Sequence, residues 1–339
     1  MILAGDIGGT KASLALFERA ARGAIGERLM PEIFLAADFE SPEALLAEYR
    51  RRHPERVTCA SFGVAGPPVH GRVVGTNLAW PMEAASLSKS LGAPVYFLND
   101  LEASGYGVSA LGHDDLAPIQ KGTADPEGNA AMIAAGTGLG ETTLARVGGE
   151  LVPVASEGGH GDFAARTDEE IELFRALRDR YGRVSYETVL SGPGLARVAE
   201  WTHGRTLEGA PPRGGAKAWT EHLAEAAGEH ELPARISRNA IEGDCPWCAR
   251  ALEIFVSVLG AEAGNLALRC VARAGIYLAG GIAPKILPAL DTDTFRTSFT
   301  DKEPHRDLLR GIPVWVVRNE HSAVLGAARY ASLRDGGSL

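Results

Sequence analysis

The 339-residue sequence has few cysteines and aromatic residues, no excess of positive charge and no long apolar run. Its four cysteines are too few and too scattered for a disulfide scaffold. The formal net charge of −9 argues against non-specific binding of nucleic acid. No apolar stretch reaches the roughly 18 residues that a bilayer requires, and no basic, signal-like segment precedes the first strand. These absences predict a cytoplasmic protein that binds neither nucleic acid nor membranes.

Two common nucleotide-binding patterns are also missing. The P-loop order Gly-x-x-x-x-Gly-Lys-Ser/Thr does not occur, and no Gly-x-Gly-x-x-Gly opens a predicted helix. The chain is nevertheless long enough for two domains of ordinary size. Its content of 45% hydrophobic and 23% charged residues is typical of a folded protein.

A glycine-rich turn between two apolar runs occupies the first 17 residues. Its residues are Gly5, Asp6, Gly8, Gly9, Thr10 and Lys11. The pattern predicts a β-hairpin whose turn presents backbone N–H groups to an anion. Because the Asp6 carboxylate would repel a phosphate, it indicates Mg²⁺, held directly or through water. A tight hairpin with an incidental aspartate is the simpler alternative.

A second copy of this pattern lies at residues 131–145. Its turn contains Gly136, Thr137, Gly138 and Gly140. One such hairpin is weak support for a phosphate site, whereas two indicate a duplicated unit. Two facing hairpins could hold a polyphosphate from both sides.

A polar pair, Asn99 and Asp100, follows the buried strand predicted at 95–98. Ligands bind at the carboxyl ends of strands in open α/β sheets. The functional interpretation makes Asp100 a general base for a substrate hydroxyl. The alternative is that Asp100 only N-caps the helix predicted at 101–111.

Other polar and glycine residues are ambiguous when considered singly. Glu157 and His160 lie in a glycine-rich turn, where an ordinary solvated pair would also be unremarkable. Glu187 falls in the first turn of a short predicted helix, where it suits the helix dipole. Gly280 and Gly281 follow a short buried strand, and could admit a flat ring or simply make a tight connection.

Cys245 and Cys248 form a Cys-x-x-Cys pair at the predicted start of a long helix, with Asp244 as N-cap and Pro246 at the first helical position. The sequence shows no second cysteine pair and no nearby histidine for zinc, and no thioredoxin-like strand precedes the pair. We therefore predict a structural role for both cysteines.

In their order and spacing, these motifs resemble the sugar kinases of the hexokinase/actin-like ATPase superfamily. Residues 6–10 are similar to the first phosphate motif of that superfamily and residues 136–140 to the second. The later segments narrow the resemblance to the bacterial glucokinases, whose adenosine motif is similar to residues 278–282. The resemblance runs from residue 2 to residue 333.

This resemblance implies an α/β, two-domain actin-like ATPase (ribonuclease H-like) fold, with mixed sheets flanked by helices and the active site in the interdomain cleft. The small domain would comprise residues 1–110 and about 312–339, and the large domain about 111–311. It also implies a homodimer.

The resemblance further implies phosphorylation of glucose by MgATP, with Asp100 as the catalytic base. Sugar contacts would come from Asn99, Asp100, Glu157, His160 and Glu187. The cofactor would contact Asp6, Gly8, Gly9, Thr10, Lys11, Gly136, Thr137, Gly138, Gly140, Gly280 and Gly281.

Two alternatives remain open at this point. The related ROK kinases act on hexoses such as mannose, fructose or amino sugars, and Lys11 is typical of them. They usually carry a cysteine-rich zinc motif after the Glu-x-Gly-His segment, whereas residues 161–200 contain no cysteine. A non-catalytic sugar sensor is the other alternative, although such proteins usually have a DNA-binding extension.

Overall fold

The computed structural model describes residues 1–74, 78–207, 214–225 and 231–334. The strands are β1 (Ile2–Ile7), β2 (Lys11–Arg19), β3 (Ile25–Leu35), β4 (Cys59–Val64), β5 (Arg72–Val73), β6 (Met82–Glu83), β7 (Val95–Asn99), β8 (Leu116–Gln120), β9 (Ala130–Ala135), β10 (Leu139–Val147), β11 (Glu150–Val154), β12 (Gly275–Ala279) and β13 (Val314–Val317). The helices are α1 (Pro42–Arg52), α2 (Ala84–Leu91), α3 (Asp100–Gly107), α4 (Asp168–Tyr181), α5 (Tyr186–Val189), α6 (Gly192–His203), α7 (Gly214–Glu225), α8 (Glu231–Glu242), α9 (Pro246–Cys270), α10 (Leu287–Leu290), α11 (Asp293–Thr300), α12 (Arg306–Gly311) and α13 (Ser322–Arg334).

The described residues form two compact units. The first contains Met1–Asp115, Leu151–Val154 and the chain from Asn319 onward, and the second contains Leu116–Glu150 and Ala155–Arg318. The return to the first unit therefore comes later than the predicted position near residue 312. The reason is that β13 pairs with β12 and β8 in the sheet of the second unit.

Within the described residues, the first unit contains a five-stranded mixed sheet in the order β3-β2-β1-β4-β7. The predicted N-terminal hairpin is confirmed, because β1 and β2 pair antiparallel with Asp6 opposite Ser13. Strand β1 also pairs parallel with β4, and β4 pairs parallel with β7.

Strand β1 buries both of its faces. Leu3 and Ile7 pack in one cluster with residues of α1, whereas Ile2 and Ala4 pack in another with residues of α13. Because side chains alternate along a strand, Asp6 lies on the same face as Ile2 and Ala4. Helices thus cover both faces of the sheet.

Within the described residues, a six-stranded sheet has the order β11-β10-β9-β12-β13-β8, and all of these strands except most of the edge strand β11 belong to the second unit. The second predicted hairpin is also confirmed, because β9 and β10 pair antiparallel. Strand β12 then pairs parallel with both β9 and β13. The order β11-β10-β9-β12-β13 repeats the order of the first sheet, as expected for a duplicated unit.

Helix α9 runs through the core of the second unit. Its N-cap is Cys245, whose Sγ accepts a hydrogen bond from the Cys248 N–H, and not the predicted Asp244. Among the described helices, it alone is long and apolar enough to cross a membrane. However, 78% of the most apolar 18-residue segment of this helix is buried inside the protein, as expected of a core helix.

Candidate active site

The glycine-rich turn of the first hairpin places a partly buried carboxylate at the end of β1. The Gly8 N–H donates to the Lys11 carbonyl at 2.9 Å and closes the turn. Burial, reinforced by the negative charge of Asp100, raises the pKa of Asp6 to about 6. A divalent cation beside Asp6 would relieve both effects, so the Asp6 carboxylate fits a Mg²⁺ site.

Asn99 and Asp100 lie at the carboxyl end of β7, as predicted. The Asn99 Oδ1 accepts from the Leu101 N–H at 3.0 Å, and the Asn99 N–H donates to the Glu102 Oε2 at 3.0 Å. The N-cap of α3 is therefore Asn99, and the alternative in which Asp100 is the cap is wrong. Asp100 is the exposed first residue of the helix, and its Oδ1 also accepts from Leu101 N–H at 2.8 Å.

Helix α3 is fixed by backbone contact with α13. A Cβ added at Gly326 would lie 1.7 Å from the Ala103 carbonyl oxygen, and one at Gly107 would lie 2.2 Å from the Ser322 carbonyl oxygen. Only glycine permits this separation. The packing sets the position of the helix that carries Asp100 at its first turn.

The structure brings two predicted sugar-binding residues of the second unit together. His160 ends a 3₁₀ turn at Gly158–His160, and its Nδ1 lies 3.8 Å from the Glu187 Oε1. Glu187 lies in α5, where its Oε2 accepts a hydrogen bond from the Leu139 N–H at 2.9 Å. Glu157 directly precedes the turn and has an exposed side chain. The Glu187 carboxylate is thus anchored to the start of β10.

A buried pair of acids that the sequence analysis did not identify lies beneath this turn. Glu141 and Glu262 are each 1% exposed, and Arg269 contacts both carboxylates. Burial and the charge of Glu262 raise the pKa of Glu141 to about 7. A Cβ added at Gly158 would lie 2.7 Å from the Glu141 Oε2. The available signal was a glutamate immediately after the glycines of the second hairpin.

A pocket of about 200 Å³ opens beside the second hairpin. Its lining includes Gly136, Thr137, Gly192, Pro193, Gly281 and Lys285. The Gly192 N–H donates to the Gly136 carbonyl at 2.8 Å and joins the start of α6 to the hairpin. The pocket therefore combines glycine backbone with one cationic side chain.

Three of the predicted cofactor residues in this unit line the pocket and three do not. Gly136, Thr137 and Gly281 line it, whereas Gly280 precedes Gly281 outside the lining. Gly280 has a φ of +82°, and a Cβ there would lie 2.3 Å from the Ala135 carbonyl oxygen. Gly138 and Gly140 lie on the hairpin itself, outside this lining.

The sequence analysis missed the contribution of α6 and of Lys285 to this pocket. The Ser-Gly-Pro-Gly order at residues 191–194 was the available signal for α6, since a serine followed closely by proline marks a helix start. A larger pocket, of about 290 Å³, lies against α8 and α9 and is lined mainly by aliphatic side chains. That lining offers a phosphate neither a glycine turn nor a positive charge.

Comparison with known proteins decides the family. The model of the glucokinase family matches residues 3–334. The chain belongs to the glucokinase family. It is therefore a sugar kinase, a phosphotransferase with an alcohol acceptor, as the sequence predicted.

Members of the glucokinase family resemble this chain over nearly its whole length. The glucokinase of Nostoc sp. is 36% identical over 342 residues, which cover 98% of this chain and 99% of that protein. The solved glucokinase of an Antarctic psychrotroph is 30% identical, with a TM-score of 0.83 and coverage of 97% and 98%.

The predicted actin-like ATPase fold is confirmed by a more distant structure as well. The ROK family glucokinase of Streptomyces griseus, solved in complex with glucose and AMPPNP, has a TM-score of 0.64 at 20% identity. The structural match covers 97% of this chain and 98% of the Streptomyces griseus protein.

Proposed function

We propose that the protein transfers a phosphoryl group from MgATP to the primary hydroxyl of glucose, producing glucose 6-phosphate. The observation that carries this proposal is Asp100. Its carboxylate is exposed at the carboxyl end of β7, on a helix fixed by glycine packing, and its charge acts on Asp6. Membership of the glucokinase family and the glucose complex of the Streptomyces griseus protein support the choice of substrate.

In this proposal Asp100 is the general base. It accepts the proton of the glucose hydroxyl while the oxygen attacks the γ-phosphorus in line. Asn99, Glu157, His160 and Glu187 bind the other hydroxyls, because carboxylate, amide and imidazole groups can each pair with a sugar hydroxyl. The Leu139 N–H holds the Glu187 carboxylate in place for this contact.

The nucleotide would bind to the two glycine-rich hairpins and the pocket beside the second one. The Gly8 N–H closes the first turn, and the backbone N–H groups of Gly9, Thr10 and Lys11, with those at Gly138 and Gly140, suit the phosphates. Gly281 would leave room for the adenine ring, and Gly280 makes the tight turn that places Gly281 there. Mg²⁺, held through Asp6, would neutralise charge on the phosphates.

Two residues outside the predicted set suit the same nucleotide. The N-terminus of α6 at Gly192 lines the pocket; its Gly192 N–H is paired with the Gly136 carbonyl, so it is the helix dipole that favours an anion there. Lys285 contributes a positive side chain to the same lining. We assign both to the binding of the nucleotide phosphates.

Replacement of Asp100 by Ala tests the proposal. Loss of the general base should lower kcat about 10²–10⁴-fold, whereas glucose binding stays measurable by calorimetry. The fully exposed Asp114, replaced by Ala, is the matched control and should retain wild-type turnover. Near-normal turnover of the Asp100→Ala variant would overturn the assignment.

A hexose panel separates the proposal from its alternatives. ADP release with MgATP should be fastest with glucose; a stronger response to mannose, fructose or an amino sugar would favour a ROK-like specificity. ATP binding without turnover on any sugar would favour a sensor. We also infer a cytoplasmic location and a homodimer, the second to be checked by light scattering after size-exclusion chromatography.

A further inference from the structure

Four metal-binding side chains converge in the second unit, away from the proposed sugar and nucleotide residues. His203 is the last residue of α6, His222 lies in α7, and Cys245 and Cys248 lie at the start of α9. One ligand atom from each residue lies within 4.8 Å of the other three. All four side chains are buried, with exposures of 0–8%.

Two of the six distances between these atoms match the edges of a tetrahedral zinc site. Zinc–sulfur bonds of about 2.3 Å and zinc–nitrogen bonds of about 2.0–2.1 Å, at tetrahedral angles, place sulfur and nitrogen ligands about 3.5 Å apart. The Cys245 Sγ lies 3.4 Å from the His203 Nε2, and the Cys248 Sγ lies 3.5 Å from the His222 Nε2. Both separations correspond to an edge of that tetrahedron.

We propose that His203, His222, Cys245 and Cys248 bind a structural Zn²⁺ ion. Four protein ligands close the coordination sphere, which is the arrangement of structural and not of catalytic zinc. Two thiolates would neutralise the ion in its buried surroundings. The ion would join the end of α6, the last turn of α7 and the start of α9.

The groups around the cluster orient its ligands. The His203 Nδ1 lies 2.6 Å from the Ala199 carbonyl, so that nitrogen carries the proton and leaves Nε2 free to bind metal. The Asn239 side-chain nitrogen lies 3.2 Å from the His222 Nδ1. A rotation of that amide that exchanges its nitrogen and oxygen would let Nδ1 donate to the oxygen and would give His222 the same tautomer.

Backbone packing brings the same three helices together. The Thr202 hydroxyl donates to the Trp247 carbonyl at 2.9 Å, and the Trp247 indole donates to the Arg205 carbonyl at 3.2 Å. A Cβ added at Gly215, at the start of α7, would lie 2.2 Å from the His203 carbonyl oxygen. The site is therefore built by the fold.

The sequence analysis argued against zinc because it found neither a second cysteine pair nor a nearby histidine. The second of these grounds does not hold in the folded protein. The Cys245 Sγ lies 3.4 Å from the His203 Nε2, although the two residues are 42 positions apart in the sequence. Two S–H···N hydrogen bonds would give similar sulfur–nitrogen distances, so the metal itself must be measured.

Metal analysis of the purified full-length protein tests the proposal. Elemental mass spectrometry should find about one zinc per chain. A thiol-modifying mercurial should release this zinc, which a colorimetric indicator would detect. After chelation under reducing conditions, added Co²⁺ should produce the visible bands of tetrahedral cobalt together with a thiolate charge-transfer band. Removal of the metal should lower Tm, and added Zn²⁺ should restore it.

Variants distinguish this site from adventitious binding. Cys248→Ser and His222→Gln should lose the stoichiometric zinc and weaken the cobalt bands, and their folding is checked by circular dichroism. Cys270→Ser, at a free cysteine outside the cluster, is the matched control and should keep both. A wild-type protein that binds neither zinc nor cobalt, or a Cys248→Ser variant that binds them normally, would overturn the proposal.

Discussion

The Glu187 carboxylate and the Leu139 backbone are joined by a hydrogen bond of 2.9 Å, in which the N–H of Leu139 donates to Oε2. Leu139 is the first residue of β10 and directly follows the turn of the second glycine-rich hairpin. In the proposed function, Glu187 binds sugar and the hairpin binds phosphate. The two binding tasks therefore depend on one short backbone segment.

Replacement of Gly138 by Ala should disturb glucose binding. The added Cβ would lie 2.6 Å from the Glu187 Oε2, so the flexible carboxylate must move and weaken its bond to Leu139. We expect the KM for glucose to rise about tenfold, equivalent to about 1.4 kcal/mol, with little change in Tm. Steady-state kinetics and thermal melting measure both quantities.

Gly311→Ala is the control for this substitution, since no described atom lies within 4 Å of a Cβ added there. It should leave the KM for glucose unchanged. An unchanged KM in Gly138→Ala as well would show that the position of Glu187 does not govern sugar affinity.

The local parts of the site could be predicted from the sequence. Glycines between two alternating apolar runs indicated both hairpins, because a tight turn and a close approach need them. The pair Asn99 and Asp100 was placed correctly because polar residues after a buried strand lie at its carboxyl end. Each of these signals is contained in a few consecutive residues.

The parts that depend on distant residues could not be predicted. His203 and Cys245 meet only because α6 and α9 pack together, and Glu141 meets Arg269 from 128 residues away. Nothing in the local pattern around Arg269 indicates its partner. The choice of Asn99 over Asp100 as N-cap was likewise decided by the reciprocal bond to Glu102.

The contact between α3 and α13 should be sensitive to a single methyl group. In Gly326→Ala the new Cβ would lie 1.7 Å from the Ala103 carbonyl oxygen, and neither backbone can move aside cheaply. We expect the variant to lose about 1–3 kcal/mol of unfolding free energy and to lower kcat, because α3 carries Asp100. Urea denaturation and kinetics on the same preparation test this, again against Gly311→Ala. If Gly326→Ala were as stable as the wild type, α3 and α13 could move apart without loss of unfolding free energy.

Asp6→Asn should stabilise the protein and impair its activity. The pKa of Asp6 is raised to about 6, so its charge is disfavoured in the folded state. The resulting destabilisation is absent below the unfolded pKa of 3.8, grows as pH rises, and is complete above about 6. At pH 7.5 without Mg²⁺, the variant should therefore melt above the wild type, whereas Asp114→Asn should not. A variant that melts below the wild type would contradict this account.

The same Asp6 should set the pH dependence of the metal requirement. In the proposed function Mg²⁺ is held by the ionised Asp6 carboxylate, so acidification through pH 6 should raise the Mg²⁺ concentration that the wild type needs for half-maximal turnover. In Asp6→Asn this requirement should be high at every pH. Mg²⁺ titrations between pH 5.5 and 8 measure it, and an identical pH profile in both proteins would exclude Asp6 as the titrating group.

The buried acids beneath the Gly158 turn should make stability depend on pH. The pKa of Glu141 is raised to about 7 by burial and by Glu262, so the folded protein keeps a proton that the unfolded chain releases above pH 4.5. This contribution to stability is full at low pH and is lost as pH rises to about 7. Glu141→Gln mimics the protonated acid, so its stability relative to the wild type should increase between pH 5 and 7 and then level off. Urea denaturation at each pH measures the difference, with the exposed Glu127→Gln as control. A constant difference across this range would mean that Glu141 is ionised throughout, with Arg269 alone compensating its charge.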